Sequence, residues 1–211
     1  LAMPTQTAES QSKLSPKEAI QLLKEGNKRF VSREMRERDL MAQVEETSKG
    51  QFPFACIVGC IDSRVPATTV FDQGIGSLFI ATVAGNIINE DILGSLEFGC
   101  AAAGSKAVVV LGHTSCGAVK GACDSVELGN LTSLLSKINA SVKETVEPND
   151  PTMRNSSNLL FVNEVAKNNV LRSVENIRVK SNVLRRLEEE GKITIVGAMY
   201  DVGTGKVSFL D

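Results

Sequence analysis

The chain has 211 residues, 42% of them hydrophobic and 23% charged, with a net charge of -2. A charge so near zero argues against the basic stripe of a nucleic-acid binder and the acidic tract of a disordered tail. No run of about 18 apolar residues offers a bilayer span. With no Trp and a single Tyr, Tyr200, little aromatic surface is left for stacking bases or sugars, so a small neutral substrate or partner fits best.

Residues 1 to 14 are polar and read as a flexible segment. Their start, LAMPTQTA, has the look of a signal-peptide stub, which favours the periplasm over the cytoplasm. The rest, 15 to 211, suits one domain able to bury roughly 70% of the surface its unfolded chain exposes. Ser15, Pro16 and Glu18 form a capping box with Pro at the first helical position, so a helix starts there. A second, charge-laced helix is expected over Arg36 to Thr47. The apolar stripe of this two-helix arm (15 to 50) is too narrow for an independent domain, so the arm should pack on another surface, such as a partner subunit. From residue 53 short apolar runs read as buried strands: Phe54 to Gly59, Leu78 to Val83, Ala107 to Leu111 and Ile193 to Met199. Helical stretches separate them at Glu90 to Ala103, Ala118 to Val126, Thr132 to Thr145, Ser157 to Val179 and Asn182 to Glu190, with a loop at Glu147 to Ser157. This alternation predicts an α/β fold, a mostly parallel sheet flanked by helices. The turn DVGTGK returns an antiparallel edge strand, Lys206 to Leu210, at the C-terminus.

Five cysteines in a chain of this length argue for metal or thiol chemistry over full pairing. Strand one ends in GCIDSR (59 to 64) and strand three in GHTSCG (112 to 117), which contains the only histidine. Ligands of open α/β sheets bind at the carboxyl ends of parallel strands, where Cys60, His113 and Cys116 can converge. Two thiolates and one imidazole suit Zn²⁺, and His-x-x-Cys is a short spacing of the kind zinc sites use. Cys56 lies ~13 Å from Cys60 along a strand, and Cys123 ~10 Å from Cys116 along a helix, too far to share the ion. Cys100 is not excluded by distance, although a thiol within GCAAAG reads more naturally as packed core. Asp62 and Arg64 follow Cys60 on the same side of an extended segment. The carboxylate could ligate the metal, or Arg64 could hold it away in a bidentate pair and leave a position for water.

CIDSRV followed by GHTSCGAV resembles the C-x-D-x-R and H-x-x-C pattern of the β-class carbonic anhydrases. The resemblance runs from about Ser15 to the C-terminus through GNKRF, FDQGIGSLF, VAGN and GSLEF. It implies one Zn²⁺ per chain on Cys60, His113 and Cys116, with Asp62 and Arg64 as the catalytic dyad that gates the fourth position. It also implies reversible hydration of CO2 to bicarbonate, a homodimer or dimer of dimers, and a pocket at Gln51, Phe79, Phe98 and the Gly117 backbone, partly built by a second subunit. An amide at Gln51 can bond an oxygen of CO2 or bicarbonate, while the two rings keep the pocket apolar. Zinc would bring its water's pKa from about 15.7 toward ~7 and so supply hydroxide as nucleophile. Two thiolates neutralise the ion more than imidazoles do, so activity should rise toward alkaline pH. Members regulated by bicarbonate at a second site use a Trp there; this sequence has none, so that regulation is not expected.

Three rival readings differ in testable ways. A hydrolase of CS2 or COS would use the same ligands with different pocket access. A non-catalytic zinc protein would close the site with Cys100. A thiol redox protein with Cys116 as nucleophile would be expected to carry the C-x-x-C that this sequence lacks.

Overall fold

The computed structural model describes residues 4–210. The segment expected to be flexible is helical in part: α1 covers Ala8–Lys13, capped by Thr7 and Ser10 in a reciprocal capping box. Gln11 holds it down, donating through Nε2 to the carbonyls of Pro53 at 2.8 Å and Ala103 at 2.7 Å. The signal-peptide reading of Leu1 to Ala8 falls partly on residues 1–3, outside the described residues. None of the described helices is long and apolar enough to cross a membrane.

Ser15 and Glu18 close the predicted capping box, and α2 runs over Pro16–Val31. The arm packs on its own chain, because Ala19 and Leu23 are fully buried in one core with Phe54, Ile57 and Phe71. Asn27 locks α2 to the far end of the fold, donating to Val70 O at 3.0 Å and Gly205 O at 2.9 Å and accepting from Val207 N at 2.9 Å.

The next helix is shorter than expected. α3 spans Leu40–Glu46 with Asp39 as its N-cap, and residues 36–38 instead wrap a buried carboxylate. Asp72, fully buried, accepts from Arg29 Nε at 2.6 Å, Arg38 at 2.5 Å and the Arg36 N–H at 3.0 Å.

The remaining elements follow the predicted alternation. They are β1 (Ala55–Gly59), α4 (Ala67–Val70), β2 (Leu78–Thr82), α5 (Glu90–Glu97), β3 (Ala107–His113), α6 (Gly117–Cys123), α7 (Gly129–Ser136), α8 (Asn139–Glu144), α9 (Leu159–Lys180), α10 (Asn182–Glu189), β4 (Thr194–Tyr200) and β5 (Val207–Leu210). The strands form one sheet in the order β2-β1-β3-β4-β5, parallel except for the antiparallel edge strand β5. Alternate residues of β1 and β3 serve two cores: Ile57, Val109 and Leu111 face α2 and α4, while Cys56, Val58, Val108 and Val110 face α5, α9 and α10.

Two expected helices are broken. The stretch after α5 widens into a π-helical turn, Phe98–Ala102, with Phe98 turned outward at 56% exposure. The 132–145 stretch divides into α7 and α8 at Ile138, whose fully buried side chain enters a third core around Cys60, Cys116 and Phe161. α9 lies close on the sheet because Gly112 leaves room for it; a Cβ there would come within 2.4 Å of Val170 Cγ2.

Burial pushes the Asp72 carboxyl up, but the hydrogen bonds from Arg29, the Arg36 backbone and Arg38 outweigh it and hold the group below its ordinary 3.8. Its contribution to stability is therefore complete above that value and is lost as pH falls through the lower, folded-state value. Asp72→Asn keeps the left-handed backbone that Asn tolerates (φ 47) and removes the charge. Urea unfolding should show a loss of about 3 kcal/mol at pH 7, the low end for breaking a buried pair. The deficit should shrink as the wild type is acidified below about pH 4.

Candidate metal centre

The parallel register of β1 and β3 sets Gly59 opposite Leu111, so Cys60 emerges from the sheet beside the end of β3 that carries His113. After His113 the chain turns through Ser115, held left-handed at φ 54, and delivers Cys116 as the N-cap of α6. The ligand atoms of Cys60, His113 and Cys116 all lie within 4.8 Å of one another. The three residues are 5%, 0% and 1% exposed, so this convergence is an interior one.

Each ligand is oriented by backbone. His113 Nδ1 lies 2.8 Å from the Thr114 carbonyl, which makes it the N–H donor and leaves the lone pair on Nε2. Nε2 is buried and has no hydrogen-bond partner. The Cys60 sulfur accepts from the Gly85 N–H at 3.3 Å, and Cys116 receives N–H groups of Ala118 and Val119 in the first turn of α6. A hydrogen bond from Cys116 holds Cys60 well below an ordinary thiol, and the same bond together with burial pushes Cys116 up. An imidazole lone pair with no protein partner, facing two buried thiols within 4.8 Å, is a donor set suited to zinc. The residues fit Zn²⁺.

Asp62 and Arg64 form the bidentate pair that the sequence spacing suggested. Arg64 donates from Nε to Oδ1 at 3.0 Å and from a terminal nitrogen to Oδ2 at 2.7 Å, and its backbone N–H reaches Oδ1 at 2.8 Å. These bonds hold the Asp62 carboxyl down at about 2, so it is an ionised acceptor throughout the neutral range. Asp62 Oδ2 stands 3.7 Å from His113 Nε2. Arg64 also donates to Ser115 O at 3.2 Å, tying the Cys60 loop to the His113 loop. Beside the pair opens a cavity of about 470 Å³ lined by Ile61, Val65, Ile80 and Thr82 with Cys60 and Asp62.

The other expected site residues are not gathered by one chain. Gly117 is adjacent to Cys116 at the start of α6. Phe79 and Phe98 stack edge to face, with centroids 5.8 Å apart, and line a separate cavity of about 830 Å³ along β2 and α5. Gln51 is exposed and lines a third hollow with Thr47, Ile75 and Gly76. Cys100 is a free thiol that shares a hydrogen bond with Cys56 and is not in the cluster, so it does not supply a fourth ligand and the closed-site reading falls.

Sequence reasoning gave no role to Gly85, which bonds Cys60, to Asn163, which bonds Ser115, or to Asn169, which bonds Gly85. In sequence, Gly85 lies within VAGN and the two asparagines lie in a helical run of mixed apolar, charged and amide residues, which singles out none of the three.

Comparison with known proteins agrees with this geometry. The carbonic anhydrase family model matches residues 55–207. Carbonic anhydrase 2 of Mycobacterium tuberculosis is 33% identical over 200 residues, covering 93% of this chain and 94% of the relative. The carbonic anhydrase of Mycolicibacterium smegmatis is 32% identical over 196 residues, with 92% of each covered. The crystal structure of the β-carbonic anhydrase CafA of Aspergillus fumigatus superposes with a TM-score of 0.72 at 29% identity, covering 81% of each chain. With its Cys-His-Cys cluster at the carboxyl end of a parallel sheet, the chain belongs to the β-class carbonic anhydrases.

Proposed function

We propose that Asp62 and Arg64 are the working pair of the CO2 hydration that family membership gives this chain. The observation that carries the reading is the doubly bonded Arg64–Asp62 pair standing 3.7 Å from the unpartnered His113 Nε2. Zinc, when held by Cys60, His113 and Cys116, supplies the Lewis acidity that brings the pKa of water toward neutrality. Arg64 occupies both oxygens of Asp62 and so keeps the carboxylate from swinging inward as a further ligand. Asp62 remains able to accept a hydrogen bond from the attacking water at Oδ2, which turns a water lone pair toward CO2. Ile61, Val65 and Ile80 offer CO2, which has no dipole, an apolar approach. The Gly117 backbone beside Cys116 would bond a product oxygen in this reading.

The pocket is completed by a second copy of the chain in this reading. β2 is a sheet edge, and Ile61 (65% exposed), Phe98 (56%) and Ile80 (41%) leave an apolar surface along it. A homodimer across this edge would cover that surface and bring Gln51, Phe79 and Phe98 toward the metal centres, and dimers could pair further. Sedimentation should therefore give a mass of at least twice 22.6 kDa; a monomer would remove the shared pocket.

Cys60→Ala should abolish both bound zinc and CO2 hydration. Asp62→Asn should keep zinc, at one ion per chain, and lower kcat/KM by about 10²-fold, the low end for loss of a positioned acid–base group. Unchanged hydration in Asp62→Asn would remove the dyad from the mechanism. Because the single histidine is buried and committed to the cluster, no imidazole is left to shuttle protons. Turnover at low buffer strength should rise with buffer concentration; a rate indifferent to buffer contradicts this proton route.

A further inference from the structure

α9 meets the sheet through an apolar face, with Phe161, Val162, Val165, Ala166 and Val170 all buried. Two asparagines on the same helix reach instead toward the metal centre, one to the loop between His113 and Cys116 and one to the turn at Gly85 that faces Cys60. Asn169, 3% exposed, donates from Nδ2 to the Gly85 carbonyl at 2.9 Å. The N–H of that same glycine points at the Cys60 sulfur. Gly85 is left-handed, φ 71, and a Cβ there would lie 2.7 Å from Ile138 Cδ1, so the turn is closely packed as well as hydrogen-bonded. Asn163 accepts at Oδ1 from the Ser115 N–H at 2.9 Å, and Ser115 is the strained residue immediately before Cys116.

We propose that Asn169 and Asn163 are positioning residues of the zinc centre, a clamp on α9 that orients the ligands through backbone neither asparagine belongs to. Asn169 aims the Gly85 N–H at the Cys60 thiolate. Asn163 fixes the peptide between His113 and Cys116. An N–H donated to a thiolate withdraws part of the charge that the sulfur would otherwise give the metal, so Asn169 governs the electronic character of the site as well as its shape. The competing account is that both side chains merely satisfy buried backbone groups, which would affect folding and leave the metal untouched. The inference rests on Cys60, His113 and Cys116 holding zinc. A Cys60→Ala protein that kept its zinc would overturn that reading, a result distinct from those below.

The test uses the full zinc-loaded protein with Asn169→Leu and Asn163→Leu. Asn163→Asp keeps an acceptor for Ser115, and Ser141→Ala removes only the other partner of Asn169, a hydroxyl at 3.4 Å. Zinc release to excess chelator and the sulfur-to-metal charge-transfer band of the Co²⁺-substituted protein are read alongside the circular dichroism of each variant. Both leucine variants should release zinc at least about tenfold faster than wild type. Asn169→Leu should also move the charge-transfer band to longer wavelength, because the Gly85 N–H is no longer held on the sulfur. Asn163→Asp and Ser141→Ala should match the wild type in both readouts. If Asn169→Leu does not fold, Asn169→Ser, too short to reach the Gly85 carbonyl, carries the same expectation. Folded leucine variants with wild-type zinc release and an unshifted band would overturn the proposal.

Discussion

The parallel pairing of β1 with β3 is the constraint on which the metal centre depends. With Gly59 opposite Leu111, the residue leaving β1 is Cys60 and the residue ending β3 is His113. A slip of one residue would turn every side chain of β1 to the opposite face of the sheet. Cys56 and Val58 would exchange cores with Ala55 and Ile57, and Cys60 would no longer meet the imidazole. Burial on both faces thus does double service: the hydrophobic alternation that stabilises the sheet also fixes the position of a sulfur atom.

The centre brings together groups that would not assemble by themselves. Two thiols and an imidazole are held in the interior, where an uncompensated thiolate is costly. The protein offers partial relief through N–H groups from Gly85 and the first turn of α6. A divalent cation completes the compensation by allowing both sulfurs to ionise. Asp62 lies at the mouth, and the half-exposed Arg64 that pairs with it offsets its charge. The buried part of the site therefore suits a metal, and the outer part presents an ionised acceptor to solvent.

A comparable arrangement secures the N-terminal arm. Asp72 has no exposure and meets two guanidinium groups and a backbone N–H from the 29–38 segment. Asn27 bridges α2 to the loop at 205–207. These polar ties attach the arm to its own sheet while β2 remains an open edge with apolar residues beside it. The arm is thus built into the chain that carries it, and the exposed surface is left along β2 and the π-helical turn.

Much of this was legible in sequence. Strand runs are short, apolar and bounded by glycine or polar residues, so the parallel sheet and its antiparallel last strand followed from pattern alone. The capping box at Ser15 marked a helix start, and GCIDSR and GHTSCG marked the candidate metal ligands, because metal chemistry restricts residue types tightly; the paired role of Asp62 and Arg64 came from the family resemblance. Helix boundaries were less legible: residues 36–38 give up helical geometry to surround Asp72, a partner 34 to 36 positions away in the chain. The roles of Gly85, Asn163 and Asn169 were equally hidden, since each acts through backbone groups of distant segments. Local sequence determined which elements form and which atoms can bind a metal. Only tertiary structure decided which loops meet, because register and helix packing arise from contacts between residues that are far apart along the chain.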